Sequence, residues 1–237
     1  MAPRTISLTA DYLVVGAGAM GLAFADEIIC TGSDKSTSVI LVDPRASVGG
    51  HWNDAYDFVK LHQPAAYYGV NSEVLGSGGA DLASKYQILA YFEKVLKKLE
   101  GTGQLQFYPQ CRFTGDGRFT SVLDPELEYV VDVRRKTVDA SYLTTKVPST
   151  HPPKYTIDPG VSLVPINGLA RLDKSWEKYV VIGEKIIKGL KDVSVSIGAG
   201  KTGIDAVLRL LDLGVDQVIL FLPLRRCFHE DFVFFWQ

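Results

Sequence analysis

The sequence predicts an α/β protein built from two units, each with a mostly parallel sheet. Two observations support this prediction. A glycine-rich hexapeptide occurs near each end of the chain, at Gly16–Gly21 (GAGAMG) and at Gly198–Gly203 (GAGKTG). Each hexapeptide follows an apolar run of strand length and opens a helical stretch, which is the order of elements in a βαβ unit.

The first part of the chain contains one complete βαβ unit. Tyr12–Val15 is an unbroken apolar run, typical of a strand buried on both faces of a parallel sheet. Met20–Cys30 is small or apolar, as expected for a helix packed on that sheet, and Ser38–Val42 is a second apolar strand. Residues 43–79 have many glycines and no steady period, so we expect them to be irregular.

One amphipathic helix and a group of short strands are predicted next. Apolar residues recur at helical spacing over Ala83–Leu99, which predicts a helix that covers the sheet. Leu105–Tyr108, Phe119–Leu123 and Glu128–Arg134 are predicted as strands, with a turn at Gly115–Gly117.

Two similar apolar runs precede the second fingerprint, at Tyr179–Gly183 and Val193–Gly198. A helix at Ile204–Leu213 and a strand at Gln217–Leu222 complete a second βαβ unit. We call these two runs the doubled strand. It arises either from a real extra helix and strand, or from a retained intron or altered gene model that inserted residues 184–198. The sequence leaves these alternatives open.

Composition and charge exclude several functions. Of the 237 residues, 46% are hydrophobic and 22% are charged, as in ordinary globular domains. The net charge of -2 gives no electrostatic basis for binding nucleic acid or an anionic membrane. Cys30, Cys111 and Cys227 lack metal-ligand or CxxC spacing, so we expect free thiols and no metal site. The chain shows no signal peptide and no apolar run near the ~20 residues of a membrane span, which predicts a cytoplasmic protein.

The first fingerprint predicts a binding site for a dinucleotide pyrophosphate. Gly16 permits a tight turn after the strand, and Gly18 lets the backbone approach the phosphates without an intervening Cβ atom. Gly21 lets the helix lie close to the strand. Ala19 and Met20 open the helix, whose N-terminal amides and dipole favour a bound anion.

The segment after the second strand indicates which dinucleotide binds. Asp43 ends that strand, where its carboxylate can accept hydrogen bonds from an adenosine ribose. The run DPRASVGGHW resembles the acid-then-GGxW signature of the class B flavin monooxygenases, which include N-oxygenating and Baeyer–Villiger enzymes. In this resemblance Gly49 and Gly50 pass close to the FAD phosphates and Trp52 forms a flat wall near the flavin ring. The predicted FAD site consists of Gly16, Gly18, Ala19, Met20, Gly21, Asp43, Pro44, Arg45, Gly50, His51 and Trp52.

The second fingerprint predicts a second pyrophosphate site with a different nucleotide. Its following strand ends at Arg225 and Arg226 in place of an acid. An arginine there can hold the 2′-phosphate of NADPH, so NADPH is favoured over NADH. Two solvated arginines are the alternative. The predicted NADPH site consists of Gly198, Gly200, Lys201, Thr202, Gly203, Arg225 and Arg226.

The family resemblance implies an oxidoreductase in which NADPH reduces FAD and a flavin C4a-(hydro)peroxide oxygenates a small organic substrate. The pattern along the chain predicts an FAD-binding domain at residues 1–170 and an NAD(P)-binding domain at residues 171–237. The resemblance implies that the second of these domains is incomplete. Similar chains often place an asparagine near the flavin where this one has Leu61–Pro64, so His62 and Gln63 are weak catalytic candidates. Ordinary structural roles for both remain open.

The chain has no FxGxxxHS segment, which weakens an assignment to the N-oxygenating branch of the family. Two further features favour an alternative function: the chain carries two similar strand-like runs before the second fingerprint, and it ends soon after the second unit's second strand. These features are expected of a C-terminally truncated relative that binds nucleotides without turnover, as a sensor or as a partner of a full-length protein. A homo-oligomer is also open. A disulfide reductase is disfavoured, because the flavin segment has no paired cysteines.

Overall fold

The computed structural model contains two compact units. The residues it describes are 4–141, 151, 156, 159, 162–171, 179–181, 194–197, 200–213, 218–221 and 233–236. The first unit comprises residues 1–55 and 60–144, and the second comprises 56–59 and 145–237. The sequence predicts a domain boundary after residue 170, whereas residues 145–170 belong to the second compact unit. The assignment of one cofactor to each domain stays a prediction.

A six-stranded sheet forms the centre of the first unit. In chain order its strands are β1 (Arg4–Val15), β2 (Val39–Val42), β5 (Leu105–Tyr108), β6 (Cys111–Gly115), β7 (Arg118–Ser121) and β8 (Leu127–Asp139). The order across the sheet is β5-β2-β1-β8-β7-β6. The four neighbouring strands β5, β2, β1 and β8 are parallel to one another. β7 pairs antiparallel with β8, and β6 pairs antiparallel with β7. A separate hairpin joins β3 (Gly69–Val70) and β4 (Glu73–Val74).

Both faces of this sheet are buried where the apolar runs of β1 and β2 lie side by side, as those runs predict. Alternate side chains of β1 and β2 point to opposite faces, so that Val14 and Leu41 lie in one core and Leu13 and Ile40 in the other. Two helices, α1 (Ala19–Asp26) and α2 (Lys85–Glu100), cover the first face. Phe119 fills the second, with its ring centroid 5.1 Å from that of Tyr108 and 4.7 Å from that of Tyr129.

Helix α2 confirms the predicted helix, while the helix predicted at Met20–Cys30 changes character along its length. The side chain of Ser84 accepts a hydrogen bond from the Gln87 backbone amide, and the side chain of Gln87 accepts one from the Ser84 backbone amide. This capping box fixes where α2 begins. Helix α1 ends at Asp26, and the chain continues as a π-helical turn over Glu27–Thr31.

Long-range pairing extends two strands beyond their predicted ends. β1 and β8 pair in parallel from Arg4 opposite Leu127 to Val15 opposite Asp139, with a register shift between Ala10 and Tyr12, where β8 contains one residue more than β1. The predicted strand began only at Tyr12, although Ile6, Leu8 and Ala10 alternate with polar residues, a pattern typical of a half-buried strand. The turn predicted at Gly115–Gly117 is confirmed.

The described residues of the second unit form a five-stranded sheet, one α-helix and a 3₁₀ helix over Ile166–Arg171. Its elements are β9 (Ser162–Val164), β10 (Tyr179–Val181), β11 (Ser194–Ile197), α3 (Lys201–Asp212), β12 (Val218–Phe221) and β13 (Val233–Trp236). β9 to β12 run parallel, and β13 pairs antiparallel with β12. The two similar apolar runs are therefore separate neighbouring strands, and β11, α3 and β12 form the predicted βαβ unit. In the described ranges, no helix has both the length and the apolar character needed to cross a membrane.

Acid is expected to weaken the contact between Asp11 of β1 and Ser38, the residue directly before β2. The Asp11 carboxylate accepts hydrogen bonds from the Ser38 amide at 2.8 Å and from Arg134 at 3.0 Å. Hydrogen bonds from the backbone and side chain of Ser38, together with the charges of Arg134 and Arg135, lower the pKa of Asp11. Because the folded-state pKa is depressed, this stabilisation is complete above about pH 4 and is lost as pH falls through the folded-state pKa.

We therefore expect Asp11→Asn to be less stable than the parent chain at pH 7, with a gap that narrows below about pH 4. Urea unfolding at pH 7 and pH 3 measures the gap. Asp132→Asn, an exposed acid on β8, controls for the change in charge. A gap that is the same at both pH values would mean that the Asp11 charge does not contribute.

Candidate cofactor site

The first fingerprint forms a tight glycine loop between β1 and α1. Gly16 has a φ of 103°, which favours glycine, and its amide donates to the Val42 carbonyl at 2.8 Å. A Cβ atom on Gly21 would lie 1.9 Å from the carbonyl oxygen of Gly16. These two glycines thus allow the turn and the close approach of helix to strand that the sequence predicted.

The structure brings the second glycine pair against this loop. The Gly49 amide donates to the Ala17 carbonyl at 2.8 Å. A Cβ atom on Gly50 would lie 2.9 Å from the Cα atom of Gly18, so the two backbones meet where neither has a side chain. Gly49 and Gly50 both have positive φ angles, of 115° and 54°. The two glycine segments, far apart in sequence, therefore form one surface of bare backbone.

The Asp43 carboxylate holds this surface together. Its Oδ2 atom accepts a hydrogen bond from the Ala17 amide and its Oδ1 atom one from the Arg45 amide, both at 2.8 Å. Asp43 is only 3% exposed. A carboxylate has about four acceptor positions, so these two hydrogen bonds do not exhaust its acceptor capacity. The ribose contact of Asp43 stays a prediction. Its structural role was missed, because a position at the end of a strand does not show which amides face the acid.

The N terminus of α1 carries no side-chain cap. Gly18 is the N-cap residue, and no side chain accepts a hydrogen bond from the first turn. Ala19 and Met20 in that turn are exposed, Met20 by 66%. An exposed, uncapped helix N terminus beside a bare backbone surface suits an anionic group such as a pyrophosphate.

Trp52 is held beside this surface by a short 3₁₀ helix, Gly50–Asp54. The side-chain amide of Asn53 donates to the carbonyls of Val48 and Gly50, at 3.1 and 3.2 Å. Trp52 is half-buried against the core that also contains α1 and α2. Asn53 therefore fixes the turn that presents Trp52, a role that the sequence did not indicate.

The polar neighbours of Trp52 interact with one another. Arg45 pairs with Asp54 at 2.5 Å, and its guanidinium lies 3.9 Å from the Asp43 carboxylate. The His51 ring lies 5.3 Å from that of Trp52, and partial desolvation together with the Arg45 charge lowers the pKa of His51. Pro44 is exposed. All predicted FAD-site residues thus lie in one contiguous region of the first unit, while their contact with a cofactor stays a prediction.

An apolar cavity of about 80 Å³ lies next to Trp52. It extends between α1, α2 and the β3–β4 hairpin. Its lining consists of Ala19, Trp52, Leu61, Tyr68, Gly69, Val70, Leu75, Ile88, Tyr91 and Phe92. The cavity joins residues of the predicted FAD site to residues of α2 that the sequence predicted only as core.

The two weak catalytic candidates are both exposed. The Gln63 side-chain oxygen accepts a hydrogen bond from the Tyr68 hydroxyl at 2.9 Å. Gln63 is thereby connected to a residue that lines the cavity, and His62 is adjacent to it. Catalytic roles for both stay predictions.

The second fingerprint differs from the first because it carries a charged side chain. Gly200 is the N-cap residue of α3, and a Cβ atom there would meet nothing within 4 Å. Lys201 forms an ion pair with Asp205, one helical turn away. The Tyr56 hydroxyl donates to the same Asp205 carboxylate at 2.5 Å, and burial and that carboxylate raise the pKa of Tyr56. The sequence spacing could have indicated the Lys201–Asp205 pair, but not Tyr56.

Only part of the predicted NADPH site can be placed. Thr202 is exposed and Gly203 is half-buried in the first turn of α3, next to Gly200 and Lys201. Gly198, Arg225 and Arg226 lie outside the described residues. The preference for NADPH over NADH therefore stays a prediction.

Solved flavin monooxygenases have similar structures. A flavin monooxygenase double mutant from Stenotrophomonas maltophilia superposes with a TM-score of 0.59 at 16% identity, over 94% of this chain and 61% of that one. The fold is that of the class B flavin monooxygenases. The fungal polycyclic ketone monooxygenase of Thermothelomyces thermophila gives a TM-score of 0.51 at 18% identity, over 90% of this chain and 35% of that one. A cyclohexanone monooxygenase mutant from Rhodococcus sp. Phi1, solved with NADP⁺, gives a TM-score of 0.50 at 15% identity, over 90% of this chain and 38% of that one.

Sequence relatives extend well beyond this chain. Uncharacterised proteins of Mycobacterium tuberculosis and Mycobacterium bovis are 41% identical over 230 residues, covering 92% of this chain. The chain spans 39% of the length of these curated relatives. No protein-family model matches the chain. The flavin monooxygenase fold predicted from two glycine fingerprints and the GGxW segment is thus confirmed by structure comparison.

Proposed function

We propose that this protein binds FAD at the first fingerprint and, with NADPH at the second, acts as a flavin-dependent oxidoreductase of monooxygenase type. The contact between the two glycine segments is the observation that carries the proposal. Gly18 and Gly50 meet without side chains beside the uncapped N terminus of α1, and Asp43 fixes the loop. The shared fold supports a flavoprotein oxidoreductase; the NADPH preference and oxygen insertion belong to the proposal.

The residues present fit FAD. The Gly18–Gly50 surface and the first turn of α1 would hold the pyrophosphate, and the remaining acceptor positions of Asp43 would hold the ribose. Trp52 would border the flavin ring. When bound, the flavin supplies the redox chemistry: NADPH provides two electrons as hydride, one atom of O₂ enters the substrate and the other leaves as water. The protein supplies binding and orientation.

The proposed substrate is a small organic molecule. An acidic chain without a basic stripe favours neither nucleic acid nor a membrane surface as partner. A cytoplasmic location and the possibility of a homo-oligomer belong to the same proposal.

A substitution in α3 tests the second nucleotide site separately. Because the Cβ position of Gly200 is open, Gly200→Ala should fold, losing at most about 1 kcal/mol from the poorer N-cap. The added methyl group would occupy the phosphate approach, so NADPH binding should weaken by about tenfold or more. Isothermal titration of the flavin-loaded protein with NADPH measures this effect. Unchanged NADPH affinity would place the nicotinamide nucleotide elsewhere.

Flavin content tests the first site. The protein is purified, denatured, and the released nucleotide identified by chromatography; FAD in near-stoichiometric amount is expected. Protein that carries no flavin and fails to take up added FAD would reject the proposal. FAD binding without NADPH oxidation across a broad substrate panel would instead favour the nucleotide-binding protein without turnover.

A further inference from the structure

The β3–β4 hairpin forms one wall of the apolar cavity and is fastened by Tyr91. The Tyr91 hydroxyl accepts a hydrogen bond from the Val70 amide at 2.7 Å and donates one to the Glu73 carbonyl at 2.6 Å. Tyr91 lies on α2, and its ring also lines the cavity. One side chain thus shapes the cavity and ties both hairpin strands to the helix.

Charged groups on both helices hold the tip of the same hairpin. The fully buried Asp26 carboxylate on α1 accepts hydrogen bonds from the amide and hydroxyl of Ser72. From α2, Lys98 donates to the Ser72 carbonyl at 2.6 Å and Lys94 pairs with Glu73 at 2.6 Å. The wall is therefore fixed from two sides by the protein itself, so the cavity is formed before any ligand enters.

The chemistry of the lining restricts what can enter. Its only side-chain oxygens are the hydroxyls of Tyr68 and Tyr91, and both already bond to protein groups. The only other polar side-chain atom is the indole nitrogen of Trp52, a single donor. A polar ligand edge with several donors and acceptors would lose its hydrogen bonds to water there, whereas a hydrocarbon edge would lose none.

Size restricts the ligand further. An engineered cavity of about 150 Å³ binds benzene, so a space of about 80 Å³ admits only the edge of a ring system. Ala19 in the lining is also the first residue of α1, whose N terminus is the proposed pyrophosphate site. Trp52 belongs to both the lining and the predicted flavin wall.

We propose that this cavity receives the dimethylbenzene edge of the FAD ring, and that Tyr91 is the positioning residue that holds its wall. The inference rests on the proposed FAD site. It assigns the hydrocarbon end of the flavin to α2 and the hairpin, and leaves the polar pyrimidine edge outside the cavity.

A flavin analogue tests this orientation. FAD and 7,8-didemethyl-FAD differ only by the two ring methyl groups, and burying two methyl groups strengthens binding about tenfold. Titration of the flavin-free full chain should therefore give about tenfold weaker binding for the demethylated cofactor. Equal affinities would overturn the inference while leaving the FAD site intact. Failure of FAD itself to bind would overturn both.

Two variants test the residues. Tyr91→Phe keeps the ring but removes both hydrogen bonds, and Ile88→Phe adds volume to the lining. Both should reduce FAD affinity by about fivefold or more and diminish the preference for the methylated flavin, while the affinity for ADP, which lacks the flavin, is unchanged. Tyr86→Phe, an exposed position on the same helix, is the control. Equal losses for FAD and ADP would indicate a general structural effect and contradict the positioning role, as would unchanged FAD affinity in both variants.

Discussion

Gly18→Ala is expected to weaken FAD binding about 100-fold while the protein still folds. A Cβ atom at Gly18 would lie 3.5 Å from the Cα atom of Gly50, an ordinary van der Waals contact. The protein alone can therefore accommodate alanine, and the poorer N-cap should cost at most about 1 kcal/mol. The methyl group would, however, project from the bare surface on which the phosphates are proposed to lie. Overpacking of about 2–3 kcal/mol corresponds to the expected loss of affinity.

The two N-cap glycines provide matched controls for one another. Gly18→Ala should weaken FAD binding but leave the NADPH affinity unchanged in the fraction that carries flavin. Gly200→Ala should weaken NADPH binding but leave the FAD affinity unchanged. Fluorescence titration with FAD and urea unfolding of the flavin-free protein separate binding from stability. If Gly18→Ala bound FAD with the affinity of the parent chain, the pyrophosphate could not lie on this loop.

Gly21→Ala should instead damage the fold, by about 3 kcal/mol. The new Cβ atom would lie 1.9 Å from the Gly16 carbonyl oxygen and 3.4 Å from a Val14 methyl group, so α1 must move away from β1. The better helix propensity of alanine, worth about 1 kcal/mol, offsets only part of this cost. Urea unfolding should show a lower midpoint at an unchanged slope.

The contrast with Gly18→Ala is the control for that result, because the two positions lie in the same loop and receive the same methyl group. If Gly21→Ala unfolded at the midpoint of the parent chain, the close packing of α1 on β1 would be wrong. If both variants lost stability equally, the distinction between a packing glycine and a ligand-facing glycine would fail.

Local pattern was sufficient to predict the βαβ units. The apolar runs that end at Val15 and Val42 gave buried strands, and the fingerprint between them gave the start of α1. The outer half of β1 was missed although Ile6, Leu8 and Ala10 alternate with polar residues. Its pairing with β8 could not be predicted from local pattern, because that strand lies more than a hundred residues away in sequence. Strands β3 and β4 were missed for a related reason, since side chains of α1 and α2 hold them in place.

The same division applies to the candidate site. Where the backbone requires a positive φ or a close approach, glycine is favoured, and the residue type shows this directly. The structural roles of Gly16, Gly21 and Gly49 could therefore be predicted from the sequence. The Asp43 acid was also predicted, but its hydrogen bonds to the Ala17 and Arg45 amides follow from three-dimensional proximity. Asn53, Tyr56 and Tyr91 act through contacts to backbone or to distant acids, which no spacing rule indicates.

The absorbance spectrum of the purified chain, recorded before and after anaerobic addition of NADPH, tests the central proposal most directly. The proposal predicts the visible band of a protein-bound oxidised flavin, which bleaches when NADPH is added because two electrons pass to the flavin. A flavin band that persists would contradict an NADPH-using oxidoreductase and leave only nucleotide binding. A spectrum without flavin, even after incubation with FAD, would contradict the FAD site itself.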